Sequence, residues 1–160
     1  MSKEFKYQRY LDKYKNCPKD CREKDLPAYR WIHKEINEHD FSPININPNL
    51  AYRAFDSTDS MCMSYGLSLY QTLKAAITQY LNFYNKIQRQ PQRIKYKQDK
   101  GDHVARLKIS KNNGVCSGSN LNEHFTFYEY IGCNLINNVI EKFDIFVYNG
   151  TVSAMAISCA

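Results

Sequence analysis

Cys17, Cys21, His33 and His39 follow one another with the spacing C-x3-C-x11-H-x5-H. Tetrahedral zinc takes two thiolates from a turn and two imidazoles from a helix, so the pattern invites a zinc reading. It departs from a zinc finger, because the central gap is one residue short and the aromatic and leucine of a finger core are out of place. On a helix, residues six apart stand about 240° from each other, a poor angle for one metal. Free thiols and surface histidines account for the same residues, and no metal is expected. A second arrangement is Gly114-Val115-Cys116-Ser117-Gly118 with His124 eight residues beyond the cysteine. It is shaped like a nucleophile turn with a general base, the parts of a thiol hydrolase. A Gly/Ser-rich loop that happens to hold a cysteine is the simpler reading.

The third arrangement is Ser64-Tyr65-Gly66-Leu67-Ser68-Leu69-Tyr70, followed by Thr72 and a helical stretch carrying Ala75, Ala76 and Tyr80. Over residues 64–80 this resembles the second segment of the ADP-ribosyltransferase-like fold, which includes the RES-type toxin domains. There a Gly-x-Ser-x-Tyr-like strand runs into a helix with small residues and a Tyr, and the two line the nicotinamide pocket. The resemblance implies NAD as substrate, with Ser68 and Tyr70 shaping that pocket. It also implies an Arg or His on an early strand to hold the NAD phosphates and ribose, a part for which Arg30 and Arg53 both qualify. A late acidic residue on a strand would stabilise an oxocarbenium-like transition state, and Glu129 is the candidate. It shares a strand face with Phe125 and Phe127, where an unpaired carboxylate is costly without a function. His124 would be an orienting donor. No Glu-x-Glu or Gln-x-Glu pair is present, and Ser68 stands without the second serine of the transferase toxins unless Ser64 supplies it. The enzyme so implied transfers ADP-ribose or cleaves NAD, as a bacterial toxin or effector does.

Charge offers a different function. The chain carries a formal charge of +6. Much of it lies between Lys3 and Lys24 and again in Lys86, Arg89, Arg93, Lys95, Lys97 and Lys100. Tyr96 sits inside the second group. Arg89, Arg93, Lys95, Tyr96 and Lys97 are the residues a non-catalytic module would use to track phosphates and stack a base, or to hold an acidic protein. A solvated helix face and loop explains the same charges. The 13 tyrosines suit an interface in an interaction protein, but also an AT-rich genome. The start is charged throughout and lacks a secretory apolar region. No apolar run approaches the ~18–20 residues of a membrane span. The expectation is therefore a cytoplasmic protein with no membrane partner, its six cysteines held as thiols.

These residues need elements to position them. With 160 residues, 43% hydrophobic and 24% charged, the chain suits one globular α+β domain. Helical spacing of Tyr7, Tyr10, Leu11 and Tyr14 predicts a helix over 3–15, within a helical N-terminal extension of residues 1–25. Residues 26–39 read as a helix capped by Asp25, with a strand over 28–32 as the alternative. Residues 50–55 suggest a strand. The long helix over 72–89 has Thr72 as N-cap and Pro91 as its stop. The stretch 88–102 reads as a long loop. Alternation predicts strands over 103–110 and 124–131, flanking a loop over 111–122. A short helix over 135–142 follows. Asn149-Gly150, a type I′ turn signal, predicts a hairpin joining 144–148 to 151–157 and closing a mainly antiparallel sheet.

Overall fold

The computed structural model describes residues 2–48 and 55–150. It is an α+β fold. Six strands form one antiparallel sheet: β1 (Leu26–Ile32), β2 (Leu67–Tyr70), β3 (His103–Ile109), β4 (Gly114–Cys116), β5 (His124–Glu129) and β6 (Val139–Asp144). Their order across the sheet is β4-β5-β2-β1-β3-β6. The helices are α1 (Gln8–Leu11), α2 (Thr58–Met63), α3 (Leu73–Lys86) and α4 (Gln90–Lys100). Residues 145–150 are also helical. No helix among the described residues is long and apolar enough to cross a membrane.

Strand alternation sorts the side chains onto two faces. Ala28 and Ile32 of β1, Leu67 and Leu69 of β2, and Phe125 and Phe127 of β5 share one apolar cluster. On the other face Tyr70, Val104, Tyr29 and Trp31 pack against Ala76 and Tyr80 of α3. Thr72 caps α3 by accepting the N–H of Ala75, as its sequence predicts. Such a cap contributes about 1 kcal/mol.

The strand alternative holds for residues 26–32, against the expected helix. Both faces of β1 are covered, so the segment shows no simple period. Its full-length pairing with β3, from Leu26–Ile109 to Ile32–His103, decides the conformation. The stretch 88–102 is not a loop but holds α4, with Pro91 in its first turn rather than serving only as a stop. The loop over 111–122 contains β4, and the expected 135–142 helix is a 3-10 turn (Leu135–Asn138) running into β6.

The hairpin is also corrected. Asp144 accepts the N–H groups of Phe146 and Val147 with its carboxylate, which starts a helix instead of a strand. Residues 151–157 lie outside the described residues, as do most of the strand expected over 50–55 and Arg53.

The expected N-terminal helix shrinks to the four residues of α1. Tertiary contacts claim its tyrosines and their neighbours: Phe5 stacks on Tyr130 and Tyr10 on Tyr65. Phe5 bridges to Tyr130 and Arg22 to Cys116, which ties residues 5–22 to the β4–β5 side of the sheet. Cys17 is bonded to Cys62 of α2, so these two are not thiols as expected. Cys21, Cys116 and Cys133 are free.

The Cys17–Cys62 link closes a loop across a sequence separation of 45. Loop-closure entropy for that span gives an upper bound of about 4 kcal/mol. The Cys17→Ala/Cys62→Ala protein is expected to lose up to that amount of unfolding free energy in urea denaturation, with a steeper slope because its uncrosslinked unfolded chain exposes more surface. Equal unfolding free energies in both proteins would show that the link adds no stability.

Candidate functional site

β1 and β2 are neighbours, yet the ladder between them pairs at Tyr29–Tyr70. β2 instead pairs fully with β5, from Leu67–Phe127 to Tyr70–His124. Beyond Tyr29 the two halves of the sheet part, and Arg30 fills the fork. Its Nε donates to the carbonyl of Asp40, its Nη1 to the carbonyl of Ser68 (2.9 Å), and its Nη2 to the carbonyl of Ser42 (3.4 Å). Burial brings the guanidinium pKa down to about 10, against the opposing pull of Asp40 and Glu129. It remains a cation at neutral pH. Three of its five N–H groups are used on carbonyls, which leaves two for a ligand.

A cavity of about 500 Å³ opens at this fork. Arg30 and Trp31 of β1, Ser68 and Tyr70 of β2, and His124 and Thr126 of β5 line it, so three adjacent strands contribute. Phe83 of α3 and Met63 of α2 also border it, and both are about half exposed. Trp31 stacks on Tyr70 at 5.6 Å, and Tyr70 meets His124 edge-on at 5.4 Å. The Trp31 N–H is spent on the carbonyl of Ala76. The lining is therefore an aromatic wall beside a fixed cation. Burial, and then the charge of Arg30, lower the pKa of His124, which keeps it neutral near pH 7. Burial raises the Tyr70 pKa far above its ordinary value, so its hydroxyl stays protonated.

Four of the six residues singled out from the sequence thus meet at one cavity: Arg30, Ser68, Tyr70 and His124. Glu129 does not line it. Its side chain is on the Phe125–Phe127 face as expected, with Oε2 at 3.3 Å from Lys6 Nζ. The Lys6 N–H covers its carbonyl as well. Oε1 is buried without a hydrogen-bond partner among the described residues. Burial raises the Glu129 pKa, opposed by Lys6 and Arg30. A second carboxylate on this side of the sheet is Glu123, which directly precedes His124 of the cavity lining but does not itself line the cavity. Its Oε2 accepts the hydroxyl proton of Thr72 (3.1 Å), and its carbonyl accepts the N–H of Gln71. Glu123 lies in a turn with positive φ, outside the alternating strand, where periodicity carries no signal.

Asp40 is the other residue missed. It is buried, and its carboxylate accepts the backbone N–H groups of His33 (3.2 Å) and Asn37 (3.1 Å). Asn37 and Asp40 form a reciprocal capping box around the 3-10 turn (Glu38–Phe41). The signal was present as Asn-x-x-Asp at residues 37–40.

The other two arrangements do not assemble. Cys17 is bonded to Cys62, and His33 is held by Asp40 and Gln98. Among the described residues no three metal-ligating side chains gather. Cys116 is buried in the apolar cluster, and burial pushes its thiol up to about 11. It pairs with Phe127 in register and its side chain shares that face, while His124 faces the cavity. The basic cluster is now largely the surface of α4. Tyr96 packs edge-on to Tyr80 at 5.1 Å, so its ring is not presented for stacking on a base. Arg93 lies over Tyr84 and Lys97 over Phe146, and Lys95 pairs with Asp99.

Gly66, the glycine of the Gly-x-Ser-x-Tyr run, directly precedes β2 and packs against β5. A Cβ there would lie 2.4 Å from the Thr126 methyl and 3.1 Å from the Phe127 carbonyl oxygen. Overpacking of this kind costs about 1–3 kcal/mol. Gly66→Ala is expected to lower stability by that amount in chemical denaturation, and a neutral result would show that the strands have room. Comparison of the chain with protein-family models, curated proteins and solved structures finds no match.

Proposed function

We propose that the cavity binds NAD and that the protein cleaves its nicotinamide–ribose bond, passing ADP-ribose to an acceptor or to water. The observation that carries this reading is the convergence of Arg30, Ser68, Tyr70 and His124 on one cavity from three adjacent strands. An early-strand arginine and a Gly-x-Ser-x-Tyr strand entering a helix are the parts that the resemblance to ADP-ribosyltransferase-like domains calls for. Their adjacency is independent of the sequence likeness, which spans only residues 64–80.

In the reaction the carbon–nitrogen bond breaks and nicotinamide leaves with the bonding electrons. Positive charge develops on the ribose carbon. A nucleophile then attacks that carbon and loses its proton to solvent. Tyr70, backed by Trp31, offers a ring face for the nicotinamide. Arg30 offers its two remaining N–H groups to phosphate oxygen. A fixed carboxylate stabilises the cationic transition state electrostatically. Glu123 suits that part better than Glu129, because Glu129 is shut behind Lys6 on the far face of β5. Asp40 is committed to His33 and to its own turn. A polyanion-binding role for α4 has less support, since Arg93, Lys95 and Lys97 are already engaged. The cytoplasmic setting expected from the sequence sits uneasily with the Cys17–Cys62 bond, because such bonds persist in oxidising compartments.

Nicotinamide release from NAD, measured with a cell lysate as acceptor source, tests the reading. Glu123→Gln should lower release by about 10²-fold or more, a typical loss for one preorganised electrostatic group. Glu129→Gln should keep most of the activity if it folds. Release by neither the unaltered protein nor any variant would sink the NAD reading. Loss on Glu129→Gln with Glu123→Gln unchanged would return the acidic role to Glu129.

A further inference from the structure

His33 follows β1 and stands between the 3-10 turn of Glu38–Phe41 and the C-terminal end of α4. Its Nδ1 lies 2.6 Å from Asp40 Oδ1, and its Nε2 lies 2.6 Å from the carbonyl oxygen of Gln98. An ionised carboxylate and a peptide carbonyl only accept. A neutral imidazole has one N–H and one lone pair, so it satisfies one of these contacts and sets lone pair against lone pair at the other. The imidazolium donates to both.

The two acceptors belong to separate elements, each of which contributes residues to the cavity wall. Asp40 lines the cavity, and its carbonyl receives the Arg30 guanidinium. Asp99 and Lys100, which follow Gln98 directly, line it from α4. Gly101 then closes the helix, donating its N–H to Lys97 and accepting the buried Tyr80 hydroxyl. Gly101 has φ +77°, and a Cβ there would collide with the Ile32 carbonyl. The charged groups around His33 are Asp40 on the turn, Asp102 after α4, Lys97 on α4, and its neighbours Lys34 and Glu35. Lys142 of β6 reaches the Lys34 carbonyl.

We propose that His33 is a protonation-dependent latch that ties the end of α4 to the Asp40 wall of the cavity. The latch stands on its own geometry; only its effect on turnover rests on the NAD reading. Burial pulls the His33 pKa down, but the Gln98 carbonyl and Asp40 outweigh it, so the net shift is upward from 6.5. A raised folded pKa means that the contribution is complete below the ordinary imidazole value. It is lost as pH rises through the raised one. On losing the proton, His33 keeps its N–H toward the charged Asp40 and gives up Gln98, because the charge-assisted bond is the stronger.

Two measurements on the unaltered protein test this without NAD. Imidazole 15N spectra should show both His33 nitrogens protonated near about pH 6, the region where histidines switch. Exchange of the Gly101 amide, corrected for its intrinsic pH dependence, should speed up severalfold across the His33 transition. In His33→Gln the step should vanish. A neutral His33 at that pH, an unchanged Gly101 rate through its titration, or a step that survives in His33→Gln would overturn the latch. Because the first two readouts need no variant and no substrate, failure of the NAD reading leaves them decisive.

Discussion

A half-buried arginine at the point where two strands part organises this molecule. β1 gives its long ladder to β3, and β2 gives its ladder to β5. The two halves touch at Tyr29–Tyr70, beyond which each would expose peptide groups to the other. Arg30 meets three carbonyls at once, that of Ser68 on β2 and those of Asp40 and Ser42 on the 3-10 turn side. A lysine has the charge but not the planar fork that reaches three separate oxygens. The cavity is thus a consequence of sheet topology, kept open by a cation that is also its strongest feature.

Burial and that charge together set the surrounding groups. His124 is held neutral beside it, and Tyr70 is kept protonated by burial. Asp40 carries two duties, its carbonyl toward Arg30 and its carboxylate toward His33. The wall nearest the cation is in this way linked to α4. Glu129 belongs to a different setting, where the N-terminal strand-like segment brings Lys6 over it. Two acidic residues on or beside one strand, six positions apart, therefore have opposite fates: Glu123 is partly exposed in the turn before His124, and Glu129 is sealed.

The elements legible from sequence were those with a local cause. α3 has a capping threonine and one continuous apolar face, β3 alternates over its second half, and β5 is a run of aromatic and branched residues buried on both faces. Tyr70 and Ser68 were legible because Gly66 and the capped helix frame them. β1 was misread because burial on both sides erases its period. α4 reads as a loop in sequence because no residue in it is buried, so it carries no stripe. Asn149-Gly150 carries a hairpin signal, but the Asp144 carboxylate caps a helix ahead of it. The Cys17–Cys62 bond and the link from His33 to Gln98 join distant segments, and no spacing rule announces them.

The chain has one tryptophan, Trp31, and it lines the cavity against Tyr70. Its fluorescence is therefore a direct reporter of occupancy, free of contributions from other tryptophans. Titration with NAD should give a saturable change in Trp31 emission that excess nicotinamide partly reverses. An emission spectrum unmoved by NAD, in protein shown to be folded, would contradict the assignment of this cavity as its binding site.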